Sequence, residues 1–138
     1  MSKHDSECVT EGIRVAACPV FLPEHSDPDA ENPRARRFAF GYKITIRNEG
    51  KVAARLLSRH WVIVDAHGER QDVEGDGVVG EQPHLEPGQE FEYTSWAPLH
   101  TPWGTMEGEY TMQRGDGSLF KARIARFYLV AEDEPAAV

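Results

Sequence analysis

The chain has 138 residues and a formal net charge of −8, from 23 acidic and 15 basic side chains. This length suits a single domain that buries about two-thirds of the surface its unfolded chain would expose. The acidic balance argues against nucleic acid as the main partner, because the field of the whole molecule would repel a phosphate backbone. The sequence has no apolar run of membrane-spanning length and no signal-peptide core. We therefore expect a cytoplasmic protein without membrane insertion.

The first predicted strand, Val9 to Phe21, contains or adjoins both cysteines. If this segment is one extended strand, Cys8 and Cys18 lie roughly 30 Å apart, beyond disulfide reach unless the chain turns back between them. We expect two free thiols without a zinc or catalytic role, since neither has a C-x-x-C partner or a nearby histidine. Pro19 should place the later part of this strand at a sheet edge or a bulge.

A proline-punctuated acidic loop from Leu22 to Arg36 follows. The arginine cluster at its end is interpreted as part of a solvated, mixed-charge surface, because acidic residues precede it closely. Further strands are predicted wherever apolar and polar residues alternate between glycine or proline turns. They are Phe38 to Arg47, Ala53 to Ala66, Glu69 to Val73, Glu90 to Ser95, Met106 to Gln113 and Phe120 to Leu129.

Two of these strands have apolar residues on both parities. The strand from Ala53 to Ala66 is therefore predicted to be buried on both faces near its centre. In the last strand the apolar parity switches after Ile124, which implies a β-bulge near Ala125 or Arg126 or an end buried on both faces. Strands about ten residues apart, without a sustained helical period, predict an all-β antiparallel sandwich or barrel.

The stretch Gly75 to Pro83 carries a G-x-G-x-x-G pattern. A dinucleotide site would need a buried strand before it and a helix after it, but polar residues precede it and Pro83 and Pro87 follow it. The acids Glu74, Asp76 and Glu81 would also repel a phosphate. A backbone nest for an anion stays an alternative. We favour a structural role, in which positive φ and close backbone contact let the chain cross from one sheet to the other.

Several joined motifs resemble the ApaG family (DUF525), over roughly Ile13 to Leu129. They are Leu56-Leu57-Ser58-Arg59-His60-Trp61, Gly75 to Pro83, Leu85-Glu86-Pro87-Gly88, Tyr93-Thr94-Ser95 and Thr105-Met106-Glu107-Gly108-Glu109-Tyr110. The resemblance implies an immunoglobulin or fibronectin type III-like sandwich, so we predict one domain over 1–138, with a core of about 9–130 and flexible ends at 1–8 and 131–138.

The resemblance also implies an association with cobalt resistance and magnesium efflux in bacteria, and use as a module in eukaryotic F-box and polymerase-interacting proteins. It implies no established molecular activity. A pyrophosphate-binding suggestion carries onto Gly75, Gly77 and Gly80. The chain departs from the family at Trp96, where glycine is usual, which we expect to alter a loop surface. It departs again at Ala125, where proline is frequent.

Arg59 and His60 are candidates for a surface adjoining this glycine loop. On a strand Arg59 shares a face with Trp61, and His60 takes the other face. We favour the structural interpretation, in which Trp61 is the core tryptophan of a sandwich and His60 is the hydrogen-bonded partner of a loop carbonyl. The functional alternative makes Arg59 and His60 part of an anion or metal site near the glycine loop. No histidine spacing defines a metal site, no serine lies in a nucleophile elbow, and no cofactor is predicted. Enzymatic activity is left open but not favoured.

The leading hypothesis is a non-enzymatic binding module that presents the loops Gly75–Pro83 and Leu99–Gly104 to a protein partner, as a monomer or homodimer. The alternative is a module that binds a divalent cation or a (pyro)phosphate compound through Gly75, Gly77, Gly80 and Glu81. A metal-dependent phosphohydrolase that uses His60 or Glu81 is a third hypothesis.

Overall fold

Two antiparallel sheets pack face to face in the computed structural model, which describes residues 2–132. The predicted flexible end at 131–138 therefore lies largely outside the described residues. Between 2 and 132 there is no α-helix, only single 3-10 turns at Pro23–His25 and Pro33–Ala35, and no helix long and apolar enough to cross a membrane. The strands are β1 Ser6–Thr10, β2 Ile13–Phe21, β3 Phe38–Asn48, β4 Ala54–Asp65, β5 Arg70–Asp76, β6 His84–Leu85, β7 Glu90–Leu99, β8 Trp103–Arg114 and β9 Leu119–Val130.

One sheet has the order β1-β2-β3-β7, and the other has the order β5-β4-β8-β9 with β6 also paired to β4. The inward residues of both sheets alternate with outward polar residues, as the two-residue period of a strand requires. This arrangement confirms the predicted all-β sandwich. The strongest sequence prediction, the alternating strand from residue 38, is confirmed as β3.

The predicted first strand is wrong, because it is a hairpin. Glu11 and Gly12, with φ of 47° and 85°, form the turn between β1 and β2. The chain thus turns back between the cysteines, and Cys8 pairs with Val15 rather than lying on a continuous strand. Both thiols are free, as expected. β1 begins at Ser6, before residue 9, where the core is predicted to start.

The short strand β1 also contacts β9, at the opposite end of the sequence. Ser6 Oγ donates a hydrogen bond of 2.7 Å to the carbonyl of Ala125, and the amide of Tyr128 donates one of 3.1 Å to the carbonyl of His4. The first strand therefore closes one side of the sandwich. Beyond Ala17, β2 has no pairing with β1, so Pro19 lies on a strand segment at the sheet edge, as predicted.

Two β-bulges, one in β4 and one in β9, change which residues of these strands face the core. On β4 the pairing moves from Leu56 opposite Met112 to Ser58 opposite Thr111, so Leu57 is the extra residue. Leu56 and Trp61 thereby reach the same core, which replaces the predicted burial of both faces of this strand. On β9 the extra residue lies at Ala125 and Arg126, opposite Glu107, and the predicted bulge is confirmed.

Aromatic side chains meet at the centre of the sandwich. Trp61 is only 2% exposed, and its ring lies 5.3 Å from Tyr42 and 5.8 Å from Phe127. This confirms Trp61 as the core tryptophan. Nearby, the hydroxyls of Tyr93 and Tyr110 bond to each other across the two sheets at 2.6 Å. Burial raises the pKa of both phenols, so both stay neutral over the physiological range.

We expect Tyr93→Phe to lower the free energy of unfolding by about 1–3 kcal/mol, because it leaves the buried Tyr110 hydroxyl without its partner. The double variant Tyr93→Phe with Tyr110→Phe should lose less than the sum of the two single losses, since it removes both polar groups. Urea denaturation of the four proteins measures this coupling. Strict additivity would show that the two hydroxyls do not bond in solution.

Candidate functional site

The glycine stretch begins inside a strand and stays within one sheet. Gly75 and Asp76 are the last residues of β5, and the following loop leads to β6. Since β5 and β6 both pair with β4, the expectation that this stretch crosses between the sheets is wrong. The crossing comes later, at the turn Glu86 to Gln89, where the amide of Gln89 donates to the carbonyl of Glu86.

The loop covers the bulge of β4. The carbonyl of Leu57 accepts from the amide of Gly77 at 2.8 Å and from the side-chain amide of Gln82 at 2.9 Å. The amide of Leu56 donates to the carbonyl of Pro83 at 2.9 Å. Val78 is fully buried in the core. The loop thus supplies the hydrogen bonds and the apolar side chain that a regular edge strand would supply.

The tip of the loop is a two-residue turn. Val78 and Glu81 exchange backbone hydrogen bonds of 2.8 and 2.9 Å, and the residues between them, Val79 and Gly80, have φ of 43° and 81°. This is a type I′ turn, in which both central residues need positive φ. The amides of Gly77, Val78 and Glu81 all donate within the chain. A phosphate would have to compete with these bonds.

Gly75 and Gly77 are explained by close packing. Arg59 Nη1 donates to the carbonyls of Asp76 and Gly77 at 3.0 and 2.8 Å. A Cβ on Gly75 would lie 2.8 Å from Nη2 of Arg59, and one on Gly77 would collide with the carbonyl oxygen of Glu81. As predicted, Arg59 projects from the same face of β4 as Trp61, where it holds the loop.

His60 lies on the other face of β4, but Arg59 and His60 both line a cleft of about 410 Å³ beside Glu74 and Gly75. His60 Nε2 lies 2.8 Å from Asp72 Oδ2, and Arg70 also binds Asp72. Arg70 first, and then His60, hold the pKa of the Asp72 carboxyl well below its usual value. The expected partner of His60, a loop carbonyl, is thus wrong: the partner is a carboxylate.

Ser58, which precedes Arg59 on β4, makes no side-chain hydrogen bond to His60 within the described residues. Between residues 2 and 132 no group of three or more His, Cys, Asp or Glu side chains could hold a metal ion. Gly80 and Glu81 are exposed at the loop tip.

The two loops assigned to one binding surface lie at opposite ends of β4. The glycine loop bonds to Leu57, whereas Gly104 pairs with Asp65. Eight residues of extended strand separate these points, which is about 26 Å. The two loops therefore lie far apart on the sandwich, and together they form no single pocket in the described residues.

A different surface stands out on the outer face of the four-stranded sheet. Trp96 lies within β7 and not in a loop, which corrects the sequence expectation. It pairs with Gly41 of β3, and Gly41 pairs with Val20 of β2. Trp96 and Val20 are 61% and 55% exposed. The alternation of Phe91, Tyr93 and Ser95 already indicated that Trp96 points outward with the acids, so parity could have identified it.

Around this row lies a cleft of about 660 Å³, which we call the Trp96 cleft. Its floor is Gly41. Because Gly41 has no side chain, the side chains of Val20 and Leu22 can pack over β3 at this position. Its other side is formed by the loop between β2 and β3. The lining residues are Val20, Leu22, Glu24, His25, Arg37, Gly41, Thr94, Ser95 and Trp96.

Comparison with known sequences gives consistent matches. The family model of the ApaG domain (DUF525) matches residues 28–114. Protein ApaG of Anaeromyxobacter dehalogenans (strain 2CP-C) is 54% identical over 125 residues, covering 91% of this chain and 94% of that protein. Protein ApaG of Thiobacillus denitrificans is 53% identical over 117 residues, covering 85% of this chain and 88% of that protein.

Solved structures of similar chains share the fold. The X-ray structure of a Northeast Structural Genomics Consortium target superposes with a TM-score of 0.80 at 38% identity, covering 92% of this chain and 90% of that chain. A crystal structure of an ApaA protein from Bordetella pertussis superposes with a TM-score of 0.79 at 43% identity, covering 86% of this chain and 92% of that chain.

We expect Val79→Asn to raise the free energy of unfolding by about 1 kcal/mol, because asparagine tolerates the left-handed conformation that a β-branched residue resists. Urea denaturation measures the change. Val52→Asn is the matched control, since Val52 is similarly exposed, at 53%, but is not among the residues with positive φ. An unchanged or lowered stability of Val79→Asn would contradict the type I′ assignment.

Proposed function

Because the chain belongs to the ApaG (DUF525) family, we propose that it acts as a non-enzymatic protein-interaction module. The observation that carries this proposal is the Trp96 cleft, an exposed aromatic and aliphatic surface on the outer face of a sheet. The contact surface proposed from the sequence, the glycine loop together with Leu99–Gly104, is replaced by this cleft.

The grouping of apolar side chains supports an interface. A single exposed apolar residue is ordinary on a protein surface, but Trp96, Val20 and Leu22 are contiguous around the floor at Gly41. Tryptophan is enriched among the residues that dominate binding energy, because its large ring loses little conformational entropy when covered. A short apolar segment of a partner would cover this ring.

The cellular setting is part of the proposal. The family resemblance implies an association with cobalt resistance and magnesium efflux. We propose that the partner acts in these processes. We propose that this takes place in the cytoplasm, with the module as a monomer or homodimer. The peptide selection described below tests which sequences this module binds.

Ligand binding by the glycine loop stays an alternative proposal. One observation favours an anion there: Arg59 has no carboxylate oxygen within 4.0 Å in the described part of the chain. However, one of its nitrogens already donates to two carbonyls, and the loop amides of Gly77, Val78 and Glu81 are bonded internally. A divalent cation or (pyro)phosphate compound would need to rearrange the loop.

Calorimetric titration separates the two proposals. We expect no heat of binding when Mg²⁺, Co²⁺ or a nucleoside diphosphate is added at millimolar concentration, since the loop is already satisfied by internal hydrogen bonds. Gly80→Ala is the comparison variant: its Cβ meets no atom within 4 Å, but the φ of 81° at this position disfavours alanine, so the variant perturbs the backbone of the loop tip. Saturable heat that this substitution alters would support the ligand alternative and contradict our expectation.

A peptide selection tests the interaction module directly. We expect a random twelve-residue display library to yield peptides that bind the wild-type protein. Their affinity should fall at least about tenfold for Trp96→Gly, because this change removes the aromatic wall of the cleft. Fluorescence anisotropy of the synthesised peptides measures the dissociation constants.

Trp103→Gly is the matched control, since Trp103 is 47% exposed but does not line the Trp96 cleft. It should bind the same peptides with unchanged affinity, and circular dichroism should confirm that both variants are folded. Failure to enrich any peptide, or equal losses in the two tryptophan variants, would overturn the proposal.

A further inference from the structure

A basic cluster lies on the loop that borders the Trp96 cleft, in an otherwise acidic protein. Arg34, Arg36 and Arg37 are all exposed on the loop between β2 and β3, and Arg37 lines the cleft itself. Within residues 2–132, none of the three has a carboxylate oxygen within 4.0 Å. By contrast, five other arginines each have at least one: Arg14, Arg47, Arg70, Arg114 and Arg126.

The loop holds two of these guanidinium groups in place. Arg37 Nε donates to the carbonyl of His25 at 2.9 Å, and Arg36 Nε donates to the carbonyl of Ala30 at 3.1 Å. The backbones of Asp27 and Arg37 exchange hydrogen bonds of 2.7 and 2.9 Å, which fix the base of the loop. Yet the nearby acid Asp27 forms no ion pair with these arginines in the described region.

Each arginine therefore retains its terminal nitrogens for another acceptor. A guanidinium already oriented by one hydrogen bond loses less freedom when it binds a carboxylate, which it can grip with two parallel bonds. The net charge of −8 opposes an acidic ligand only weakly at this range, because the screening length at physiological salt is about 8 Å. Near the cleft, the positive charges of the arginines therefore outweigh the more distant acidic side chains.

The distance along the chain between Arg37 and Gly41 shows how far the basic part of the Trp96 cleft lies from its apolar part. Arg37 lies four residues from Gly41, which is about 13 Å of extended chain, and its side chain reaches back into the cleft. We propose that the Trp96 cleft binds an extended segment of a partner protein that carries an apolar side chain and an Asp or Glu. The apolar side chain covers Gly41 against Trp96, and the carboxylate, two to four residues away, pairs with Arg37.

This inference rests on the proposed interaction function and adds the chemistry of the partner. Two features favour a peptide over other anions: the floor and wall of the cleft are apolar, and they lie on an extended sheet face that matches the length of a peptide segment. Glu24, on the rim beside His25, is the one acid in the lining of this cleft and sets a limit on affinity for a carboxylate.

The peptides from the display selection provide the probes. Each is synthesised in three forms: unchanged, with its acids replaced by Gln or Asn, and with its acids replaced by Lys. We expect an acid two to four residues from the apolar anchor, and a loss of at least about tenfold when it is neutralised. The affinity of the unchanged form should also fall with added salt, while that of the Gln form should not.

Charge reversal on the protein supplies the second arm. Arg37→Glu should weaken the unchanged peptides at least about tenfold and strengthen the Lys form. Arg123→Glu is the control, since it changes the net charge equally on an exposed arginine of β9 that does not line the cleft. Glu24→Gln should tighten the unchanged peptides, because it removes the opposing charge at the rim.

The outcomes separate this inference from the function on which it rests. Peptides that require Trp96 but lack a nearby acid, or that bind equally well after neutralisation, overturn the acidic partner and leave the interaction module standing. Equal effects of Arg37→Glu and Arg123→Glu overturn it as well, because they would show a general charge effect. Failure of the library to yield any binder overturns both.

Discussion

Side chains alternate between the two faces of each strand, and this alternation decides which of them can meet in the core of the sandwich. Two inserted residues, one in β4 and one in β9, shift the alternation. On β4 the extra residue Leu57 turns Trp61 toward the same core as Leu56. On β9 the bulge at Ala125 and Arg126 does the same for Phe127, which packs on Trp61. Without both insertions the central aromatic cluster would point partly into solvent, since a one-residue shift moves a side chain to the other face.

The glycine loop is a consequence of the first insertion. A bulge leaves backbone groups of the strand without regular partners, and here the carbonyl of Leu57 is satisfied by Gly77 and Gln82 instead. A phosphate-binding loop needs its amides directed outward to an anion, whereas in this loop two amides donate to carbonyls of the loop and a third, that of Gly77, donates to Leu57. The glycine spacing thus has a structural explanation in this loop, to which Arg59 adds hydrogen bonds to the carbonyls of Asp76 and Gly77.

Most of the fold was predictable because alternation and turn residues are local signals. The bulge at Ala125 was readable from the apolar parity, but the bulge at Leu57 was masked by apolar residues on both faces of β4. The hairpin turn at Glu11 and Gly12 was missed because its flanking residues continue the alternation. The candidate site was harder, since sequence does not show that the glycine loop and Leu99–Gly104 lie at opposite ends of β4.

The closure of β9 by β1 has a consequence for how the protein is made. Ser6 and Ala125, which share a hydrogen bond, lie 119 residues apart in the sequence. Ribosomes add about 5–20 residues per second, so on the order of ten seconds pass before the acceptor of this bond is even synthesised. During that interval the hairpin of β1 and β2 has an uncovered side. Because the chain is synthesised from its N-terminus, the contact between β1 and β9 is the last part of the sandwich to form.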